Sequence, residues 1–234
     1  MNAALLATNG ADVTIKNATV KSSAQNGNGV FSYGEGTIVN ISNSKITTTA
    51  DNSGGIQTTG GGTTNATLTA NNSEALVIEG ENSITLTNCD VTGNMSDTKG
   101  SSSDENVHNV MIYQSMSGDA KEGTSSFDMT GGTLTSKNGD MFYVTNTHCV
   151  LKLSGVDIKN QDSDGYLLNV CGNSASHGWG TAGGTAVSDN AVVTIEKGSI
   201  WTLTGDCTLT SLTNNGTINF NGHTITLADG TVLK

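Results

Sequence analysis

Few side chains in this chain are equipped to grip a ligand. Three tyrosines, Tyr113, Tyr143 and Tyr166, recur at related intervals, and His177 and Trp179 follow in a glycine-rich stretch. Sugars stack on exposed aromatic faces while amides and hydroxyls read their edges, so five rings gathered on one side would make a carbohydrate platform. The competing reading is that the tyrosine rings point inward and fill a core. Strand alternation alone does not decide between the two. Trp179 fits equally well as a cover over an apolar opening.

Catalytic chemistry finds less support. Glycoside hydrolysis needs two carboxyl groups on one face. Asp128 and Asp157 fall on neighbouring repeats at different registers, Asp90 and Asp157 share a register two repeats apart, and Asp162 and Asp164 read as a turn pair. Lys152, Lys159 and Lys197 have no aligned acidic cluster, and the chain has no arginine. Asp162-x-Asp164 and Asp104-Glu105 offer oxygen ligands that suit calcium, yet neither has the spacing of a calcium loop. The four cysteines, Cys89, Cys149, Cys171 and Cys207, match no zinc or redox spacing. They read as small buried apolar groups. The expectation is no catalytic set, no metal site and no cofactor.

The elements that must position these residues are set by a repeat. Val13-Thr14-Ile15-Lys16-Asn17-Ala18-Thr19-Val20 carries an apolar residue, a second two positions on, and a third five further. The pattern returns as Val39, Ile41, Ile46; Ile84, Leu86, Val91; Phe127, Met129, Leu134; Leu151, Leu153, Ile158; Val193, Ile195, Ile200; and Ile218, Phe220, Ile225, with a half copy at Leu68. One supersecondary unit stacked on itself produces such a recurrence. A further short strand follows each copy, at Val30-Phe31, Ile56, Ala75 to Ile78, Val110 to Tyr113, Met141 to Val144, Tyr166 to Val170 and Leu209 to Leu212.

The predicted fold is all-β: a single-stranded, right-handed parallel β-helix of about eight coils with three short strands per coil. One domain covers 1–234, with insertions at about 93–107 and 172–190 and a C-terminal cap at about 214–234. Asn17, Asn43 and Asn88 share a register that glycine takes at Gly131, Gly155 and Gly222, which predicts a corner in the left-handed backbone region. Lys197 breaks that series. Residues 60–66 hold no apolar pair before Leu68, so that first strand is either polar or shortened.

Composition agrees with short strands and tight turns: 30 Gly, no Pro and 4% aromatic residues. The net charge of -11 disfavours nucleic acid and anionic membrane surfaces. No run of eighteen apolar residues exists, so no membrane span is expected. Thr-x-Thr pairs at Thr67/Thr69, Thr133/Thr135 and Thr224/Thr226 are interrupted elsewhere by Lys, Asp and Trp201, which argues against an ice-binding array.

The stretches NGADVTIKNATV, SITLTNCDVTGN, SFDMTGGTLTSKNGDMFYVTNT and GSIWTLTGDCTLTSLTNNGTINFNGHTITL resemble the right-handed β-helix surface proteins of anaerobic gut bacteria, often labelled adhesin-like or carbohydrate-binding. That resemblance spans nearly the whole chain and implies a secreted or bacterial cell-surface protein whose leader would lie outside this sequence. It implies a rigid, non-enzymatic adhesin or stalk that contacts polysaccharide or a host or bacterial surface. Exposed terminal coils would also allow end-to-end self-association. One alternative is a polysaccharide lyase or hydrolase of the pectate-lyase-like class, whose usual arginine base has no counterpart here. Another is an engineered or shortened β-helix scaffold without activity of its own.

Overall fold

The structure, a computed structural model, describes residues 2–34, 36–50, 53–58, 62–71, 74–97, 106–115, 120–172 and 191–234, with backbone alone at 42–43, 58 and 62–71. The described residues contain strands and turns but no helix. The lack follows from the sequence, whose alternation of β-branched and polar residues has a period of two and is broken every few residues by Gly or Asn.

Two parallel sheets dominate. The first joins, in spatial order, β1 (Asn2–Thr8), β4 (Gly27–Tyr33), β6 (Ile56–Thr58), β8 (Leu76–Glu79), β10 (His108–Tyr113), β12 (Asp140–Thr145) and β15 (Leu168–Cys171). The second joins β2 (Asp12–Lys16), β5 (Ile38–Thr48), β7 (Gly62–Asn71), β9 (Ser83–Asn94), β11 (Thr124–Ser136) and β13 (His148–Ser154). At its two ends, β3 (Thr19–Ser22) pairs with β5 and β14 (Asp157–Asn160) pairs with β11. Strands are thus added in sequence order to each sheet by turns.

The apolar rows fall in register as the repeat requires. Val13 stands opposite Val39 and Ile15 opposite Ile41. Ile84 stands opposite Phe127, and Phe127 opposite Leu151. A second row runs Val20, Ile46, Leu68, Val91, Leu134, Ile158. Ile46, Val91 and Leu134 are buried together with Leu76, Ile78, Val110, Ile112 and Phe142 from the first sheet, so the two sheets share one core. Each fully buried side chain of this size contributes roughly 1.5–3 kcal/mol.

Corners are made where the sequence places Asn and Gly. Asn17, Asn88, Gly131 and Gly155 all have positive φ, between 51° and 68°. Asn88 Oδ1 lies over Gly131, where a Cβ would come within 2.3 Å of it. The side chain of Asn43 lies outside the described residues. Where Lys197 interrupts the series, Gly198 takes the positive φ one position later.

The weak stretch before Leu68 is a polar strand that is also one residue short. Gly62 and Thr64 stand opposite Val39 and Ile41, and the register with both β5 and β9 shifts between Thr64 and the residues after it. Gly93 and Asn94 belong to β9, so the polar insertion begins after Asn94 instead of at Gly93.

The C-terminal residues require a larger correction. β16 (Val192–Ile195), β17 (Ile200–Thr202) and β18 (Cys207–Leu209) pair with β19 (Ser211–Asn214), β20 (Thr217–Asn219) and β21 (Ile225–Leu227). Val193 therefore stands opposite Leu212, Trp201 opposite Ile218 and Cys207 opposite Ile225. The alignment of Val193 with Ile218 fails because β16, β18 and β21 each carry an apolar–x–apolar unit, so one face can be mistaken for the next. These strands enclose their own core around Leu203, Leu209 and Ile225. β22 (Val232–Leu233) pairs antiparallel with β21.

Candidate functional site

β8, β10 and β12 are buried on both faces. One face feeds the shared core. The other carries Val77, Met111, Tyr113 and Tyr143, which form a cluster of their own. Val77, Met111 and Tyr143 stand in one register row, whereas Tyr113 stands opposite Glu79 and Thr145 in the next. Tyr143 is 1% and Tyr113 5% exposed, so neither offers a ring face to solvent.

Beside this cluster lies a polar row that the sequence did not reveal. His108, just before the apolar part of β10, stands opposite Asp140 of β12 and reaches Glu74, which precedes β8. His108 is stacked on Tyr143 with ring centroids 5.1 Å apart. Its Nδ1 lies 3.0 Å from the Asn106 carbonyl oxygen and its Nε2 lies 3.2 Å from Glu74 Oε1. Both His108 and Glu74 are buried. Asp140 accepts the Tyr166 N–H at 2.8 Å, Asn169 Nδ2 at 2.8 Å and Asn106 Nδ2. A carbonyl oxygen only accepts, so the contact to Asn106 is made by His108 Nδ1 as donor, which leaves Nε2 to the Glu74 carboxyl.

The opening with the geometry of a ligand site lies elsewhere. A cavity of about 690 Å³ is bounded on one side by β14 and the 163–167 turn, and on the other by β17 and 203–207. That volume is in the range of small-molecule and cofactor sites. Tyr166, 62% exposed, and Trp201 line it together with the apolar side chains of Val156, Ile158, Leu167 and Leu203. Asp157, Asn160, Asp164, Thr202, Thr204 and Asp206 supply polar groups. The cavity arises because β14 pairs on one edge with β11 and β17 pairs on one edge with β20, while no backbone pairing among the described residues joins β14 to β17. Ser199 Oγ donates to the Leu153 carbonyl at 3.2 Å beside it.

The turn that carries Tyr166 is fixed by its own polar groups. Asp162 accepts N–H bonds from Gly139 at 2.7 Å and from Asp164 at 3.0 Å, and these two bonds hold its carboxyl below the ordinary carboxylate value. Asn160 Nδ2 donates to the Gly165 carbonyl at 2.9 Å. The calcium candidate Asp162 is therefore an acceptor for backbone N–H groups. Among the described residues, no cluster of three or more His, Cys, Asp or Glu is placed to hold a metal.

Of the five rings singled out in the sequence, Tyr166 borders the cavity, and Tyr113 and Tyr143 lie buried on β10 and β12. His177 and Trp179 lie outside the described residues. Trp201, seen in the sequence as an interruption of a threonine row, is the aromatic residue that sequence reasoning missed. Its signal was present, since one large ring in a strand of Ile and Thr is costly to leave fully exposed. None of the four cysteines, all among the described residues, is in a disulfide.

Compared with known proteins, the chain matches no protein family, no curated protein and no solved structure. No helix among the described residues is long and apolar enough to cross a membrane.

Proposed function

We propose that the chain is a right-handed parallel β-helix of about eight coils, serving as a rigid, non-enzymatic adhesin or stalk segment that binds polysaccharide in the cavity between Tyr166 and Trp201. The fold part of this reading is supported by the two parallel sheets that grow together in sequence order and share one core. On this reading the C-terminal strands are two further coils of shorter length. The resemblance to gut-bacterial surface proteins suggests a secreted or cell-surface setting.

The observation that carries the binding part is that two aromatic residues, Tyr166 and Trp201, line one open cavity, with amide, hydroxyl and carboxylate groups around them. Aromatic rings in the lining accommodate the apolar face of a sugar ring, and the polar rim addresses its hydroxyls. A rigid scaffold positions both walls at low conformational cost.

Calorimetric titration of the full chain with a panel of oligosaccharides tests this. At least one oligosaccharide should bind, and Tyr166→Ala and Trp201→Ala should each weaken it about tenfold or more, equivalent to roughly 1.4 kcal/mol. Tyr143→Ala should affect stability instead of affinity, because that ring is buried. Binding that is indifferent to both cavity substitutions would overturn the proposal.

A further inference from the structure

Resting on the carbohydrate reading of this cavity, we infer that its preferred sugar is a protonated amino sugar, as in an oligomer of glucosamine, instead of a neutral or uronic-acid chain. The charge around the two rings is one-sided. Asp157, Asp164 and Asp206 line the cavity, and Lys159 is the cation among the described lining residues. Lys159 Nζ is held 2.9 Å from Asp157 Oδ2, so these two neutralise each other. Asp164 and Asp206 are left as the net charge of the rim.

Asp206 is also held in place. Its Oδ1 accepts the Thr224 N–H at 2.8 Å and the Thr224 hydroxyl at 3.2 Å, which anchors the carboxylate and leaves Oδ2 for a ligand. His223 Nδ1 lies 3.8 Å from the same Oδ1, too far for a hydrogen bond but within ion-pair distance whenever that ring carries a proton, and this contact too is on Oδ1 and not on Oδ2. The Asp164 backbone is fixed by its bond to Asp162. An ammonium group on a ring stacked against Tyr166 or Trp201 would meet one of these two carboxylates, forming a charge-assisted hydrogen bond. A uronate would meet like charge, and among the described lining residues the one lysine is already paired with Asp157. The chain's 21 acidic against 10 basic residues adds a weaker, long-range term of the same sign.

The test is titration of the full chain, at mildly acidic pH, with glucosamine, N-acetylglucosamine and galacturonate oligomers of equal length. The glucosamine oligomer should bind tightest. Asp206→Asn or Asp164→Asn should weaken it about tenfold, and added salt should weaken it further. Asp12→Asn, which removes a carboxylate from the far end of the second sheet, should leave affinity unchanged. Equal or tighter binding of the N-acetylated oligomer, lost on Tyr166→Ala, would overturn the amino-sugar inference and leave the carbohydrate reading standing. Glucosamine binding that survives Tyr166→Ala with Trp201→Ala, or that Asp12→Asn weakens equally, would reduce the effect to overall charge and also overturn the inference. Binding of none of the three would overturn the amino-sugar inference, and the oligosaccharide panel above then decides the carbohydrate reading by itself.

Discussion

Glu74 Oε1 and His108 Nε2 lie 3.2 Å apart although 34 residues separate them in the chain, and both side chains are buried. The other ring nitrogen is committed to a backbone carbonyl. The buried contact should therefore respond differently to a substitution that keeps its hydrogen bond and to one that removes it. Glu74→Gln can donate from its amide to a neutral His108 Nε2 and keep the hydrogen bond. Glu74→Leu leaves that nitrogen without this partner. Urea denaturation should place the Leu variant about 1–3 kcal/mol below the Gln variant. Equal stabilities would mean that the contact contributes nothing.

Acid stability should depend on Asp162. Its carboxyl is held below the ordinary value of 3.8 by the Gly139 and Asp164 N–H groups. A depressed pKa gives stability that is present above the unfolded value and is lost as pH falls through the folded one. Melting temperatures measured downward from pH 3.8 should fall more steeply for the native chain than for Asp162→Asn. Parallel curves would show that the two backbone bonds do not favour the ionised form.

Cys149 should be chemically silent in the folded chain. Burial pushes its thiol from 9.0 up to about 12, so it stays protonated and un-nucleophilic near neutral pH. The linked stability is present below pH 9.0 and is lost as pH rises toward 12. Mass mapping after brief alkylation at mildly alkaline pH should find Cys149 unmodified when folded and modified in denaturant. Rapid labelling of the folded chain would contradict this placement.

Two corner glycines should differ sharply. Gly155 has φ +62° with open space where a Cβ would stand, so Gly155→Ala meets only the backbone cost of the left-handed region, about 1–2 kcal/mol. Gly132 has φ +82° and its Cβ would come within 2.0 Å of the Cys89 carbonyl oxygen, so the neighbouring strand would have to move. Gly132→Ala should cost well beyond the Gly155 value in chemical denaturation. Similar losses at both sites would mean that β9 and β11 are not packed as described.

Much of this arrangement is legible in the sequence, for reasons that also mark where legibility ends. Val13, Val39, Phe127 and Leu151 announce their register because β2, β5, β11 and β13 bury alternate residues, which leaves a period of two. β10 and β12 are buried on both faces, so alternation says nothing about the Tyr113 and Tyr143 rings. The Val193–Ile218 alignment fails because β16, β18 and β21 repeat the same short apolar unit, and the true offset, Val193 to Leu212, is shorter than in the preceding repeats. Glu74, His108 and Asp140 left no local signature, since connections of unequal length bring them together. The Tyr166–Trp201 cavity depends on where strand pairing stops, which residue patterns do not encode.

Each strand lies directly on the one a repeat earlier, and methyl-to-methyl nuclear Overhauser spectroscopy of the full chain reads this stacking without perturbing it. Cross-peaks should join Val20 to Ile46, Val91 to Leu134 and Leu134 to Ile158, and the Trp201 ring should report on Ile218. Absence of the Leu134 contacts, or a Val193–Ile218 cross-peak in place of Val193–Leu212, would contradict the stacking described.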